Sequence, residues 1–201
     1  MLPLHIQSDI QYLLETDAVF KKSGIKISDF SWGQRDDLFI SLMRTIIGQQ
    51  LSVKAAASIW QRVADGVGNL SAKGFLKLDD ETLRGFGLSR QKVCYVRGLA
   101  EAVNEKTFIP DSLYDMNDDD VVGSITSLKG FGTWSAQMVL IFTLGRPDIW
   151  PTGDLGVREG VRLYKKLDER PDILATEKFG HKFKGRRSSA ALLLWKLKDS
   201  V

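Results

Sequence analysis

Residues 128–136 read LKGFGTWSA, and this stretch decides the fold that the chain is expected to adopt. Apolar residues recur at helical spacing on both sides of it, which predicts one helix over 121–128 and another over about 133–144. Glycines at positions 130 and 132 permit the tight turn that such a pair of helices needs. The stretch therefore predicts a helix-hairpin-helix motif over about 121–144.

The turn of this motif has the features of an anion-binding site. Gly130 and Gly132 let the backbone approach an anion closely, and the N–H groups that open the second helix point toward it. Lys129 adds a positive charge beside the turn. One DNA phosphate suits such a cradle. The alternative is a plain αα-hairpin whose glycines serve only the turn geometry.

Helix signals recur along the rest of the chain. Ser8 precedes a predicted helix over 9–20, and the pair Asp36 and Asp37 precedes one over 38–48. Further helices are expected over 54–64, 90–103, 155–167 and 187–198, with a short one that begins at residue 79 or 80. No convincing alternating β pattern accompanies them. The sequence therefore predicts an all-α protein.

Composition sets broad limits on the class of protein. Of the 201 residues, 43% are hydrophobic and 26% are charged, which is typical of a globular chain and not of a disordered one. This length supports a sizeable core, in one domain or in two lobes that share a cleft. The single cysteine, Cys94, excludes a disulfide framework, a four-thiolate iron-sulfur cluster and a zinc ribbon. The net charge of +3 permits a nucleic-acid partner without requiring one.

The sequence also predicts where the protein works. Its longest apolar stretches, residues 138–142 and 190–195, are far shorter than the roughly 18 residues of a membrane-spanning helix. The start of the chain lacks the basic and apolar regions of a signal peptide. We therefore expect an intracellular protein without a membrane partner, in the cytoplasm or nucleoid of a bacterium or in the nucleus of a eukaryote.

A second informative stretch, residues 150–158, reads WPTGDLGVR and brings one carboxylate to the start of a predicted helix. This makes Asp154 the candidate catalytic group. A carboxylate held there can stabilise a cationic sugar transition state or orient an attacking water. As an alternative, Asp154 serves only as the N-cap of the helix, although the two roles are compatible.

Five ordered motifs together resemble the helix-hairpin-helix DNA glycosylases, and within them the DNA-3-methyladenine glycosylase II family. They are residues 46–52 (IIGQQLS), 87–92 (GLSRQK), the hairpin 129–136, 151–154 (PTGD), and 187–191 (RSSAA) followed by Trp195. The resemblance spans nearly the whole chain. It implies a two-lobed helical fold with a central cleft, in which residues 1–37 and 147–201 form the lobe that carries the catalytic aspartate. Residues 38–146 form the lobe that carries the hairpin.

The resemblance also implies roles for individual residues. Asp154 matches the catalytic aspartate of the family, and the hairpin matches its grip on a phosphate beside the lesion. The residues expected to bind DNA phosphates are Lys129, Gly130, Gly132, Thr133, Ser135, Ser52 and Lys54. Backbone carbonyls of Thr126, Leu128 and Phe131 match those that bind a structural Na⁺ or K⁺ ion in relatives. No cofactor is expected for the chemistry itself.

Gln49 and Gln50 stand in a predicted turn between two helices. By the resemblance, Gln50 matches the side chain that family members insert into the base stack as a wedge. A glutamine can fill the gap left by a flipped base and can hydrogen-bond the orphaned partner base. We therefore expect Gln50 and Gln49 at the DNA wedge; the alternative is an ordinary polar turn.

Trp134 stands where relatives that also cut the DNA strand carry a lysine that forms a Schiff base. Tryptophan cannot form an imine, so the protein is expected to use water as the nucleophile. Trp134 is also expected to line the base pocket, where an indole face would attract a cationic alkylated purine by about 1–2 kcal/mol and so favour damaged over normal bases; the alternative is a tryptophan of the core. The other expected pocket residues are Met138, Leu155 and Phe183, which replace aromatic residues of some relatives and leave the breadth of substrates open.

The activity implied by the resemblance is base excision repair of duplex DNA. The enzyme would flip out an alkylated purine of the 3-methyladenine or 7-methylguanine type, hydrolyse its N-glycosidic bond and leave an abasic site. One alternative is a non-catalytic helix-hairpin-helix DNA-binding module. Another is the same fold acting on a different damaged or mismatched base. The expected partner is double-stranded DNA that contains alkylated bases, bound by a monomer.

Overall fold

The computed structural model describes residues 2–30 and 37–200, and over these ranges it is built of helices and turns without a strand. The α-helices are α1 Leu4–Thr16, α2 Ala18–Lys22, α3 Leu38–Gly48, α4 Val53–Val67, α5 Ala72–Leu76, α6 Asp80–Gly85, α7 Arg90–Asn104, α8 Asp118–Thr126, α9 Thr133–Phe142, α10 Leu155–Lys165, α11 Ile173–Gly180 and α12 Arg187–Asp199. Short 3₁₀ helices occur at Ile27–Asp29, Pro110–Tyr114 and His181–Phe183. The predicted all-α class is confirmed.

The chain divides into two compact units. The terminal unit comprises Met1–Gln34 and Leu140–Val201, and the middle unit comprises Arg35–Val139. Residues 140–146, which the sequence places in the middle lobe, belong to the terminal unit. The reason is local bonding, because Arg146 N donates to Leu140 O at 2.8 Å and Arg146 O accepts from Ser188 Oγ at 2.6 Å. These bonds tie the end of α9 to α12.

In the terminal unit, α1, α10 and α12 pack around a core that includes an aromatic cluster. The members of this cluster are Phe20, Trp150, Tyr164, Phe179 and Phe183, with ring centroids 5.0–6.4 Å apart. Phe183 is only 3% exposed inside it. The prediction that Phe183 lines the base pocket is therefore wrong, because the ring is enclosed by its aromatic neighbours.

The start of the chain differs from the single helix predicted over 9–20. Asp17 adopts an extended backbone between α1 and α2, and its carboxylate caps α2 by accepting from Val19 N and Phe20 N. It also accepts from Tyr164 Oη at 2.6 Å and Lys182 Nζ at 3.0 Å. Burial acts to raise the pKa of Asp17, but these hydrogen bonds outweigh it and lower the pKa. A capping carboxylate thus splits the predicted helix in two.

In the middle unit, buried apolar residues of α3 face α4 and α7, and α5 and α6 pack on α7. Asp37 caps α3 by accepting from Phe39 N at 2.7 Å, as the sequence predicts; Asp36 lies outside the described residues. Sequence periodicity did not identify α5 or α11. Both are short, so few apolar repeats mark them. No helix in the described parts of the chain is long and apolar enough to cross a membrane.

An ion pair holds the loop that leads to α10. Asp148 Oδ1 accepts from Gly185 N at 2.8 Å and from Arg187 Nε at 2.7 Å, while Oδ2 accepts from Arg187 Nη2 at 2.9 Å. Burial acts to raise the pKa of Asp148, but the hydrogen bonds from Arg187 and Gly185 outweigh it and lower the pKa. The pair therefore stabilises the fold as long as Asp148 is ionised.

We expect Asp148→Asn to lower the free energy of unfolding at pH 7 by about 1–3 kcal/mol, because Arg187 loses its charged partner. The lowered folded-state pKa means that this stabilisation is present above the unfolded value of about 3.9 and is lost as the pH falls through the folded value. Urea denaturation at pH 7 and in this acid range measures the difference, which should shrink in acid. Asp168→Asn, at an exposed position of the same unit, is the control. Equal stability of Asp148→Asn and wild type at pH 7 would contradict the role of the pair.

Candidate active site

Asp154 lies at the N-terminus of α10 on a rigid loop. Its Oδ1 atom accepts from Val157 N at 2.8 Å, so the residue caps the helix. The loop before it is closed by a hydrogen bond from Asp154 N to Pro151 O at 3.0 Å. The buried indole of Trp150 anchors the loop by donating to Thr176 O at 2.9 Å. The predicted cap is therefore present, and it holds the carboxylate in one place.

Trp195 of α12 makes a second hydrogen bond to this carboxylate. Its Nε1 atom donates to Asp154 Oδ1 at 2.8 Å. Gly156 makes room for the indole, because a Cβ atom at that position would lie 2.7 Å from the ring. The indole stacks on Phe142, with centroids 5.6 Å apart and an interplanar angle of 25°. The indole that contacts the carboxylate therefore belongs to a stacked aromatic pair.

Sequence reasoning recognised Trp195 only as part of a motif and missed Phe142 altogether. The two partners of the hydrogen bond are 41 positions apart in the chain, and no spacing pattern links them. Phe142 is 43% exposed at the end of α9, and Leu155, a predicted pocket residue, is 59% exposed at the start of α10. Exposed apolar side chains such as these are suited to contact an apolar ligand face.

The predicted hairpin is present between α8 and α9. Phe131 N donates to Leu128 O at 3.1 Å and closes the turn. Gly130 has φ +94°, and a Cβ atom there would lie 2.3 Å from the Tyr95 ring, so this glycine is required by both conformation and space. A Cβ atom at Gly132 would meet no atom within 4 Å. Gly132 therefore faces open space at the surface of the turn.

The start of α9 offers a set of backbone donors to an anion. The first backbone bond of the helix runs from Ala136 N to Gly132 O at 3.2 Å. In an α-helix, the backbone N–H groups that precede the first such bond point out of the N-terminus. Gly132, Thr133 and the neighbouring Lys129 are exposed. An exposed helix N-terminus beside a lysine is an arrangement that suits one phosphate.

The side chain of Ser135 is committed elsewhere. It is 3% exposed, and its Oγ atom accepts from Gln49 Nε2 at 3.3 Å. Gln49 Nε2 also donates to Gly130 O at 2.8 Å. The prediction of Gln49 as a wedge residue is therefore wrong, because these hydrogen bonds turn its side chain toward the hairpin instead of outward.

Gln50, the main predicted wedge residue, is exposed and has φ +57°. Lys92 also holds the backbone next to it. Its Nζ atom donates to Gln49 O at 2.8 Å and to Ile47 O at 2.7 Å. Burial lowers the pKa of Lys92. Gln49, Gln50, Gly130, Trp134 and Ser135 together line a cavity of about 400 Å³. Trp134 is 40% exposed there, which is the position of a surface aromatic and not of a core residue.

The remaining predicted site residues lie as follows. Ser52 caps α4 by accepting from Ala55 N at 3.3 Å, and Lys54 is exposed in the first turn of α4. Met138 is half-buried on α9. Leu128 lies in the turn whose carbonyls were expected to hold a Na⁺ or K⁺ ion. Among the residues that the structure describes, no group of three or more His, Cys, Asp or Glu side chains could hold a metal ion.

The sequence was compared with known protein families and known proteins. Residues 43–184 match the model of the HhH-GPD superfamily base excision DNA repair protein. DNA-3-methyladenine glycosylase 1 of Schizosaccharomyces pombe is 29% identical over 168 residues, which cover 81% of this chain and 73% of that protein. The DNA-3-methyladenine glycosylase of Saccharomyces cerevisiae is 34% identical over 148 residues, which cover 69% of this chain and about half (49%) of that protein.

A solved structure shows the same fold. The S. pombe 3-methyladenine DNA glycosylase in complex with abasic DNA superposes with a TM-score of 0.84 and 26% sequence identity. The match covers 94% of this chain and 95% of that one. Because the family match extends over well more than half of the sequence, the chain belongs to the HhH-GPD superfamily of base excision DNA repair proteins, the helix-hairpin-helix DNA glycosylases.

Proposed function

We propose that this base excision repair DNA glycosylase removes alkylated purines of the 3-methyladenine or 7-methylguanine type from duplex DNA. The observation that carries the proposal is the fixed carboxylate of Asp154, which accepts a hydrogen bond from the Trp195 indole, together with the exposed ring of Phe142 that stacks on this indole. A negative charge and an aromatic face are what a cationic purine on a sugar would meet favourably. The names of the similar yeast proteins point to the same substrate class.

Alkylation at N3 or N7 makes the purine cationic and a good leaving group, so no general acid is needed. The bond between C1′ and the base nitrogen breaks, and its electron pair neutralises the departing base. Asp154 stabilises the positive charge that develops on the sugar. Water then adds to C1′, and its proton passes to Asp154 or to solvent. The products are the free base and an abasic site.

Two aromatic surfaces supply selectivity for the damaged base. One is Trp134 on α9, and the other is the stacked pair of Phe142 and Trp195. A cation held over such a ring gains about 1–2 kcal/mol when it is desolvated, whereas a neutral purine lacks this attraction. Met138 lies on the same helix as Trp134, and Leu155 is the first residue of α10, directly after Asp154; both are proposed apolar contacts to the base.

DNA is held by backbone contacts and opened by a wedge. The amides at the start of α9, with Lys129, bind one phosphate, and Ser52 and Lys54 contact the backbone near α4. Gln50 enters the base stack as the lesion nucleotide flips out, at a cost of a few kcal/mol. Weakly paired lesions therefore flip most readily. The partner is double-stranded DNA bound by one copy of the protein, in the nucleoid or nucleus where the DNA lies.

The hairpin is also the proposed site of a structural Na⁺ or K⁺ ion. The last carbonyls of α8, including that of Thr126, have no partner within the helix and lie at its negative end. Leu128 O accepts from Phe131 N and keeps a second lone pair for a cation. With Phe131 O these carbonyls would bind the ion and hold the turn. The chemistry at Asp154 needs no cofactor.

Asp154→Asn keeps the shape and the capping oxygen but removes the charge. We expect single-turnover release of 3-methyladenine and 7-methylguanine from methylated duplex DNA to fall by about 10²–10³-fold or more, because the sugar cation loses its stabilising charge. Binding to duplex DNA that contains a tetrahydrofuran abasic analogue should persist.

The matched control is Asp172→Asn, which alters the N-cap of α11 in the same unit, where Asp172 accepts from Ala175 N at 2.7 Å. This variant should release bases as wild type does. Undiminished release by Asp154→Asn would contradict the catalytic role. DNA binding by wild type without any release, on several lesions, would indicate a binding module instead.

Trp195→Phe keeps an aromatic ring against Phe142 but removes the donor to Asp154. A hydrogen bond to a charged group is worth about 1.5–3 kcal/mol, so the rate of base release should fall roughly 10- to 100-fold. Affinity for abasic DNA should change little, since the carboxylate acts on the reacting sugar. Trp60→Phe on α4 is the control, and an equal loss in both variants would argue against a specific role for the indole N–H.

The monofunctional mechanism predicts that no imine forms with DNA. Incubation of the protein with abasic DNA and sodium borohydride should leave no covalent adduct, because Trp134 has no amine. Gel electrophoresis measures trapping, and a strand-cleaving relative serves as the positive control. A trapped adduct would show that another amine of the chain attacks the sugar.

A further inference from the structure

The side chain of Gln49 connects two turns that are far apart in the sequence. These are the wedge turn, residues 49–51, and the hairpin turn, residues 129–132. Gln49 Nε2 donates to Gly130 O at 2.8 Å in the hairpin turn and to Ser135 Oγ at 3.3 Å in α9. Both acceptors belong to the segment that offers its amides to a phosphate. One side chain therefore ties the wedge turn to the phosphate cradle.

Lys92 fixes the wedge turn from α7. Its Nζ atom donates to Ile47 O at 2.7 Å and to Gln49 O at 2.8 Å, at the C-terminal end of α3. A cation suits that end of a helix, because the unpaired carbonyls there carry partial negative charge. The amine is partly buried, which lowers its pKa, and both of these hydrogen bonds are made to the protein backbone.

Gln50 is held in a conformation that a residue with a side chain seldom adopts. Its φ of +57° places it in the left-handed region, which costs free energy for any residue other than glycine. Such a conformation persists only where the surroundings impose it. Within this turn, the backbone bond from Leu51 N to Gly48 O at 3.2 Å closes the chain around Gln50, and the ties at Gln49 fix the residue that precedes it.

We propose that Gln49 and Lys92 are positioning residues that hold Gln50 in its projecting conformation at a fixed place beside the hairpin amides. The phosphate grip and the wedge then act on DNA as one rigid unit. This role deepens the proposed function, on which it depends for the wedge itself. Neither residue needs to contact the lesion.

Rigidity matters because the wedge works against the base stack. Inserting Gln50 requires the neighbouring bases to separate, which costs free energy. A wedge on a loose turn would yield and remain outside the duplex. Fixed to the cradle, it enters at a set distance from the gripped phosphate, so that binding energy at the backbone is used to distort the DNA.

The test uses Gln49→Met, which preserves side-chain length but has no donor, together with Gln50→Ala and the double variant. We expect Gln49→Met to lower affinity for duplex DNA with a tetrahydrofuran site by about tenfold, the equivalent of one or two net hydrogen bonds. Affinity for intact duplex should not change. The double variant should lose no more than Gln50→Ala alone, because Gln49 acts through Gln50.

A spectroscopic readout reports the wedge directly. 2-Aminopurine placed opposite the tetrahydrofuran site changes its fluorescence when a side chain enters the stack beside it. Gln49→Met and Lys92→Met should both reduce this change, with unfolding temperatures close to that of wild type. Gln61→Met on α4 is the matched control, because Gln61 is exposed and bonds only locally, to Asp65 Oδ1 at 2.9 Å.

Losses that are additive in the double variant would overturn the positioning role, as would equal losses on abasic and intact duplex. A wild type that does not prefer the abasic duplex would overturn it as well. None of these measurements needs base release. A protein that shows the coupling but releases no base would therefore overturn the proposed chemistry and leave the positioning role standing.

Discussion

The close approach of α10 and α12 is the constraint on which the candidate active site depends. Gly156 and Gly160 lie about one helical turn apart on α10. A Cβ atom at Gly160 would lie 2.5 Å from Leu194 O, and one at Gly156 would lie 2.7 Å from the Trp195 ring. A larger residue at either position would push α12 away. The indole N–H would then no longer reach Asp154 at 2.8 Å.

The middle unit meets a similar requirement with hydrogen bonds. Gln49 and Gly130 are 81 positions apart, yet a side-chain amide joins them. Polar groups that leave water need partners, so each such bond also removes a choice of conformation. Within the described residues, no buried side-chain nitrogen or oxygen lacks a hydrogen-bond partner. In each unit, therefore, the functional group is held by contacts that allow it little freedom.

Sequence reasoning succeeded where structure depends on near neighbours. Helix α3 has its predicted bounds, and the hairpin lies where its glycines place it. The caps at Asp37 and Ser52 are bonds across two or three residues, which a local pattern can reveal. It failed for Gln49 and Phe183, because neither a distant acceptor nor an aromatic cluster leaves a mark on the spacing of nearby residues.

The sequence by itself determined the all-α class, the hairpin with glycines at its turn, and the placement of one carboxylate at the start of a helix. These follow from periodicity, capping and glycine content, which act over a few residues. Only the tertiary structure decided that Trp195 donates to Asp154, that Phe142 stacks on Trp195, and that Gln49 bonds to the hairpin while Gln50 is exposed. The physical reason is that packing and hydrogen bonding between distant segments select side-chain directions that local propensity leaves open.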